Sequence, residues 1–187
     1  MNIPNSLTLL RIAMIPVFVV VFYLPFRWSN LIACLIFTLA ALTDMLDGYL
    51  ARKLNQTSTL GEFLDPVADK LMVAVVLVLL VQHDHRILLA LPAAVIIGRE
   101  ITISALREWM SALGARSRVA VSIYGKVKTV IQMVSLIMLI YRYPLYGLPI
   151  YGMGLVLLYI AVILTLWSML EYLMSAWPRI RESLYKQ

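Results

Sequence analysis

Four aspartates lie where two hydrophobic segments meet, in the stretch DMLDGYLARKLNQTSTLGEFLDPVADK. Asp44 and Asp47 are spaced i, i+3, and Asp65 and Asp69 are spaced i, i+4, so each pair lines one face of a helix. If the connection at 53–64 folds the helices side by side, four carboxylates meet and repel unless a cation neutralises them. Carboxylate ligation without His or Cys suits Mg²⁺ or Mn²⁺, and two such ions typically promote attack at phosphorus.

Small and basic residues accompany the aspartates. Gly48 leaves room for a ligand to approach the helix backbone, and Gly61 can do the same at the turn before the next helix. Arg52 lies about one turn beyond Asp47, where its guanidinium can hold a phosphate or pair with a carboxylate. Each residue alone is also consistent with a solvated helix end. Ionisable groups at one membrane depth are costly, however, so the whole constellation indicates a functional site.

The rest of the chain is typical of an all-α integral membrane protein. Of its 187 residues, 62% are hydrophobic and only 14% are charged, which is far more apolar than an average soluble domain. Continuous apolar runs, without the alternation of barrel strands, predict about six transmembrane helices in one domain, residues 1–187. We expect the first run to be a retained helix because further hydrophobic segments follow it. The runs are 12–26, 30–43, 66–81, 87–98, 119–141 and 150–177.

Basic residues are distributed unevenly between the two predicted membrane faces. Only Arg27, Arg86 and Arg142 fall in the connections after helices 1, 3 and 5, and the other Lys and Arg residues lie at or near the opposite face. The positive-inside rule makes that richer face cytoplasmic and places both termini there. The aspartates share this face, whereas His83 and His85 lie on the other. The basic surplus suits anionic lipid, and we expect no nucleic-acid partner.

The fixed positions D-x2-D-G-x2-A-R-x8-G-x3-D-x3-D, at residues 44–69, resemble the signature of the CDP-alcohol phosphatidyltransferases without departure. The resemblance implies six transmembrane helices, a homodimer, and a reaction in which an alcohol displaces CMP from a CDP-linked substrate. It also implies that the first three aspartates mainly bind metal. Asp69, the last, would bind metal and act as the general base on the attacking hydroxyl.

Further stretches resemble bacterial members of the family that use glycerol 3-phosphate as the acceptor: NIPNSLTLLRIAMIPVF, LDPVADK, REITISALREWM and YGKVKT. They imply CDP-diacylglycerol and glycerol 3-phosphate as substrates, CMP as a product, and the bacterial inner membrane as the location. The resemblance places the N-terminal stretch near the cytidine nucleotide. We expect Arg11, in that stretch, to snorkel to the membrane surface. The predicted CDP-diacylglycerol site comprises Asn5, Thr8, Asp47, Gly48, Arg52 and Gly61.

Glycerol 3-phosphate is a small dianion, so its site needs cations beyond those that hold the nucleotide diphosphate. Arg99 and Arg107 are eight residues apart on one predicted helix and share a broad face, and bidentate arginines suit phosphate. Each is also consistent with positive-inside bias or with a local ion pair, such as Arg99 with Glu100. The predicted acceptor site comprises Arg99, Arg107, Arg116, Arg118 and Lys126.

Three alternatives remain at this point. Another enzyme of the family, such as a phosphatidylinositol phosphate or cardiolipin-type synthase, would use a different acceptor alcohol. A membrane prenyltransferase also uses aspartates and Mg²⁺, but typically has two separate Asp-rich motifs and more helices. A cation transporter would need a polar path through the outer half of the membrane, for which the sequence offers no residues.

Overall fold

The computed structural model describes the backbone of residues 3–54, 59–112 and 123–184, and the side chains of residues 6–44, 61, 64–110, 127–174 and 177. Over these ranges the chain forms six α-helices, which confirms the predicted all-α class. They are α1 (Ile3–Tyr23), α2 (Ser29–Leu54), α3 (Thr59–His83), α4 (Ile87–Ala112), α5 (Ile123–Tyr141) and α6 (Ile150–Leu184).

The helices around the aspartates are longer than the apolar runs predicted. α2 continues to Leu54 and α3 begins at Thr59, so the long connection expected at 53–64 is mostly helical. Gly61 therefore lies in the first turn of α3, where it is buried, and not in a preceding turn. Helical hydrogen bonding continues past the apolar run because polar residues also support a helix once it leaves the hydrocarbon.

Within the residues that the structure describes, three helices contain stretches that are long and apolar enough to cross a membrane: Ser6–Tyr23, Ile87–Met110 and Ile150–Met174. Two further stretches, Ser29–Asp44 and Val127–Tyr141, are apolar but shorter. Large hydrophobic side chains are exposed along all these helices, and Val20, Leu39 and Ile163 are more than half exposed. Exposed apolar surface on this scale is what lipid-facing helices present, so the chain has the character of a membrane protein.

The six helices close a ring in the order α1, α2, α5, α6, α4, α3, and back to α1. Its core is filled by apolar side chains such as Phe18, Phe37, Leu77 and Leu158. α5 and α6 approach closely at Gly154, where an added Cβ would stand 3.1 Å from Leu139 Cγ. Ser135 Oγ donates a hydrogen bond to the Gly154 carbonyl oxygen at 2.7 Å. A glycine therefore sets the spacing of this helix pair.

Contacts at the helix termini show which ends of the helices meet. Tyr23, at the end of α1, donates a hydrogen bond to Gln82 near the end of α3 at 3.1 Å. Tyr151, at the start of α6, donates to Asp84, which follows α3. The opposite end of the bundle consequently collects the N-terminal parts of α1, α3 and α5 and the C-terminal parts of α2, α4 and α6. This is the charged end.

Candidate active site

The N-terminal part of α1 joins two of the predicted aspartates at the charged end. Thr8, which is 1% exposed, donates a hydrogen bond to Asp65 Oδ1 at 2.6 Å. Arg11, which is 2% exposed, places Nη1 2.6 Å from Asp44 Oδ1. Thr8 and Arg11 are three residues apart and share one face of α1, so Asp44 of α2 and Asp65 of α3 converge there. Asp69, four residues after Asp65 on α3, is near enough to Asp44 and Arg11 to interact with them electrostatically, so it lies at the same end of the bundle.

The position of Arg11 differs from our expectation. A snorkelling arginine holds its guanidinium in water at the membrane surface, but Arg11 is buried inside the bundle and paired with Asp44. A buried cation is tolerated when a carboxylate satisfies it with good geometry. The prediction was wrong because the sequence does not reveal that α2 packs on this face of α1. Thr8, expected near the nucleotide, hydrogen-bonds an aspartate.

The donor atoms at this site are of the type that a hard divalent cation prefers. The Oδ1 atoms of Asp44 and Asp65 accept from α1, which leaves both Oδ2 atoms and the Asp69 carboxylate without a hydrogen bond from another described residue. Cys34 is elsewhere and donates to the Ile137 carbonyl oxygen, so the ligands at this end are oxygens, as Mg²⁺ and Mn²⁺ prefer. Among the described side chains, no three potential ligands lie close enough to hold an ion. Asp47 is outside that part of the chain.

A second group of charges lies at the same end, on α4 and α5. Glu100 Oε1 accepts hydrogen bonds from Arg99 Nη1 at 2.8 Å and from Lys128 Nζ at 3.2 Å. The Lys128 side chain is 6% exposed. Arg99 Nη2 also donates to Ser168 of α6 at 3.1 Å, and its buried Nε has no hydrogen-bond partner among the described residues. Arg99, Glu100 and Lys128 form the basic cluster, which contains two cations and one anion.

The basic cluster adjoins the aspartates. Lys70, next to Asp69 in the chain, donates a hydrogen bond to Ser104 Oγ. Ser104 donates in turn to the Glu100 carbonyl oxygen within α4 at 2.5 Å, so the bond from Lys70 ties α3 to α4 beside Glu100. Both Glu100 and Lys128 interact electrostatically with Asp69. The arrangement places a carboxylate that can accept a proton beside cations that can bind an anion.

The structure describes the side chains of only some of the predicted site residues. It places Thr8, Asp44, Asp65, Asp69 and Arg99 at the charged end of the bundle, with Gly61 buried at the start of α3. Arg107 lies farther along α4 and is exposed. The remaining predicted residues lie outside the described side chains: Asn5, Asp47, Gly48, Arg52, Arg116, Arg118 and Lys126.

Four charged residues at the site were not in the predicted set, namely Arg11, Lys70, Glu100 and Lys128. Arg11 continues the i, i+3 series of Thr8, which places both on one helix face. Lys128 lies two residues after Lys126 in the first part of a mostly apolar helix. Ionisable residues in such a helix are a functional-site signal, but the sequence did not distinguish Lys128 from Lys126, which was predicted in its place.

The polar cluster at the opposite end has a different character. Asp84 accepts hydrogen bonds from Arg86 Nε at 2.8 Å and Arg86 Nη2 at 2.9 Å, and one from Tyr151. These bonds, those of Arg86 foremost, lower the pKa of Asp84 to about 2. The Arg86 and Arg142 guanidinium groups lie 5.7 and 5.6 Å from the Tyr151 ring centroid. These contacts hold the connection after α3 against the start of α6, so this cluster has a structural role.

Comparison with known proteins identifies a family with the same pattern. The model of the CDP-alcohol phosphatidyltransferase family matches residues 1–167, which include all three described aspartates and the basic cluster. The match therefore covers the four carboxylates of the signature and every helix up to the middle of α6.

Similar proteins extend this likeness over nearly the whole chain. A protein of Sodalis glossinidius (strain morsitans) named CDP-diacylglycerol–glycerol-3-phosphate 3-phosphatidyltransferase is 55% identical over 179 residues, which cover 94% of this chain and 95% of that protein. A protein of the same name from Salmonella paratyphi A is 55% identical over 175 residues, 94% of each chain. Another, from Yersinia pestis (strain Pestoides F), is 54% identical over 182 residues, 97% of this chain and 98% of its own.

Proposed function

Because the chain belongs to the CDP-alcohol phosphatidyltransferase family, and is therefore an enzyme, we propose that it transfers the phosphatidyl group of CDP-diacylglycerol to glycerol 3-phosphate. The names of relatives at 54–55% identity support this choice of substrates. The structural observation that carries it is the basic cluster beside Asp69. An acceptor that bears a phosphate needs buried cations near the base that activates its hydroxyl.

Asp69 is the general base in this proposal. Its carboxylate takes the proton of the 1-hydroxyl of glycerol 3-phosphate as that oxygen attacks the β-phosphorus of CDP-diacylglycerol. The bond from the β-phosphorus to the oxygen that bridges the two phosphates breaks, and CMP leaves with that oxygen. The products are CMP and phosphatidylglycerol phosphate. Two Mg²⁺ or Mn²⁺ ions, when bound, would stabilise charge on the phosphoryl oxygens. The residues proposed to hold them are Asp44, Asp47, Asp65 and Asp69.

The basic cluster orients the acceptor. Its two cations exceed its single carboxylate, so one positive charge is available to a phosphate dianion. The Arg99 Nε–H is buried without a hydrogen-bond partner among the described residues, and such a donor gains most when an anion accepts from it. Lys128 interacts with both Glu100 and Asp69, which fits an acceptor whose phosphate lies on Lys128 and whose hydroxyl reaches Asp69.

The other predicted residues extend both substrate sites. For the acceptor phosphate, exposed Arg107 supplies positive charge toward water, together with Arg116, Arg118 and Lys126. For CDP-diacylglycerol, Arg52 is proposed to contact the diphosphate, and Gly48 and Gly61 to admit it close to the backbone. The cytidine end would lie near the start of α1 at Asn5 and Thr8, beside Asp47.

All six helices are proposed to cross the bacterial inner membrane, with both termini and the charged end on the cytoplasmic side. The support is the concentration of Lys and Arg at that face and the exposed apolar surface of the helices. CDP-diacylglycerol would enter sideways from the inner leaflet, with its acyl chains remaining in lipid. A homodimer is proposed on the resemblance to the family.

Purified protein in detergent, supplied with CDP-diacylglycerol and Mg²⁺, tests this function. CMP release is measured with glycerol 3-phosphate, inositol 3-phosphate, serine and glycerol as acceptors. CMP that appears only with glycerol 3-phosphate, and disappears with a chelator, is the expected result. Release with inositol 3-phosphate would keep the reaction class but reassign the basic cluster to that acceptor. Release that persists with a chelator would contradict the proposed ions.

A further inference from the structure

Arg11 is paired with a carboxylate that is also a proposed ion ligand. The Arg11 guanidinium is buried in the bundle and lies 2.6 Å from Asp44 Oδ1, and a buried guanidinium needs such a counter-charge. Asp44 is also one of the four proposed ion ligands. A carboxylate that is fully neutralised by an arginine is a weaker ligand for an added ion, because the ion must first overcome that pairing.

We propose that Arg11 is the resident counter-cation of the aspartate site. Its guanidinium neutralises Asp44 while no divalent cation is bound, and releases Asp44 when one binds. The inference rests on the proposed function, since it takes Asp44 to be an ion ligand. It explains why the Arg11 guanidinium is buried beside a carboxylate that is proposed to bind a metal ion. Without the positive charge of Arg11, the repulsion between Asp44 and Asp69, which interact electrostatically, would not be compensated.

Two consequences of opposite sign follow from this arrangement. Removal of the Arg11 charge makes the site more negative, so a divalent cation binds more tightly. The same removal leaves the carboxylates without compensation when no ion is present, so the ion-free protein becomes less stable. A residue that only packed α1 against α2 would produce the loss of stability but not the gain in ion affinity.

Thr8 provides a matched control. It lies three residues from Arg11 on the same face of α1 and donates to Asp65 Oδ1 at the same distance of 2.6 Å. Thr8→Val removes this tie between α1 and an aspartate with little change in shape and no change in charge. Comparison of Arg11→Gln with Thr8→Val therefore separates the effect of charge from the effect of loosening α1.

The experiment uses the full chain in detergent, without CDP-lipid, and titrates it with Mn²⁺ alone. The electron paramagnetic resonance signal of free Mn²⁺ reports binding, and thermal unfolding is followed with a chelator and with saturating Mn²⁺. We expect Arg11→Gln to bind Mn²⁺ roughly fivefold or more tightly than the wild type, and Thr8→Val, which removes a hydrogen bond but no charge, to give a clearly smaller change. In chelator, Arg11→Gln should have a lower melting temperature than the wild type. Saturating Mn²⁺ should reduce this difference in melting temperature.

Several results would overturn the inference. Mn²⁺ affinity that is unchanged or weaker in Arg11→Gln would show that Arg11 does not compete for Asp44. An equal gain in Thr8→Val would trace the effect to looser packing. Arg11→Lys keeps the charge, so its affinity for Mn²⁺ should stay within about twofold of the wild type. A roughly fivefold gain in Mn²⁺ affinity in Arg11→Lys would contradict the inference. This comparison remains available if Arg11→Gln does not fold. Absence of Mn²⁺ binding by the wild type would overturn this inference and the proposed ions together.

Discussion

Lys128→Met is the perturbation that most sharply tests how the acceptor is bound. Methionine keeps the length and apolar volume of the lysine stem while it removes the charge. Removal of one partner of a buried ion pair typically costs about 3–5 kcal/mol. Glu100 keeps Arg99 at 2.8 Å, however, so its carboxylate stays paired, and we expect a loss of only about 1–2 kcal/mol in the free energy of unfolding. The variant should therefore fold.

The catalytic effect of Lys128→Met should be larger and specific to one substrate. A charge-assisted hydrogen bond to a phosphate contributes about 1.5–3 kcal/mol. Since 1.4 kcal/mol corresponds to about tenfold in affinity, the KM for glycerol 3-phosphate should rise roughly 10- to 150-fold. The KM for CDP-diacylglycerol should change little, because the aspartates are intact. The assay is initial CMP release across a glycerol 3-phosphate series at saturating CDP-diacylglycerol.

Lys126→Met is the matched comparison, since it removes the same charge from the same helix two residues away. A smaller rise in KM is expected there if a specific contact of Lys128 matters more than the general positive potential. Lys128→Arg keeps the charge and should recover part of the affinity. An unchanged KM for glycerol 3-phosphate in folded Lys128→Met would refute the assignment of Lys128 to the acceptor. So would an equal rise in the KM for both substrates.

Three further predictions concern the base, the opposite end and the helix packing. Asp69→Asn should lower CMP release at least about a hundredfold while the melting temperature is retained, since an amide cannot accept the proton; near-normal turnover would remove Asp69 from that role. Asp84→Asn should lower the melting temperature by a few degrees at pH 7. Arg86 holds the native pKa of Asp84 at about 2, below its ordinary value of 3.8. The difference in melting temperature between the wild type and Asp84→Asn should therefore shrink as the pH falls from about 4 toward 2. A melting-temperature difference that persists at about pH 2 would contradict this prediction. Gly154→Ala should cost about 1–3 kcal/mol of stability, because its Cβ would meet Leu139 Cγ at 3.1 Å. Gly152→Ala is the control, since the nearest atom to its Cβ is at 4.0 Å. It should be nearly neutral in the same thermal-unfolding assay.

Local features of the sequence predicted the helices and their common charged end. Continuous apolar runs predict helices because, apart from a closed barrel, only a helix satisfies its own backbone in lipid. The positions of Asp44, Asp65 and Asp69 where two apolar runs meet predicted that they lie at one end of the bundle. These predictions required only periodicity and the position of charge along the chain. The ends of α2 and α3 were less predictable, because both helices extend beyond the apolar residues.

The partners of the charged residues were not predictable from a single sequence. Arg11 pairs with Asp44 across 33 residues, and Lys128 pairs with Glu100 across 28. Such pairs depend on which helices are neighbours, and the ring order depends on shape, as at Gly154 between α5 and α6. Periodicity specifies which face of a helix is polar but not which helix meets that face. The basic cluster therefore emerged only from the fold.

The most direct test of the central claim is the transfer of radiolabel from glycerol 3-phosphate into lipid. The purified chain is incubated with labelled glycerol 3-phosphate, CDP-diacylglycerol and Mg²⁺, and label in the organic phase is compared with CMP in the aqueous phase. We predict that label enters lipid only when CDP-diacylglycerol is present, in equal amount to the CMP released. CMP release without label in the lipid would contradict the account, because the phosphatidyl group would then have passed to another acceptor or to water.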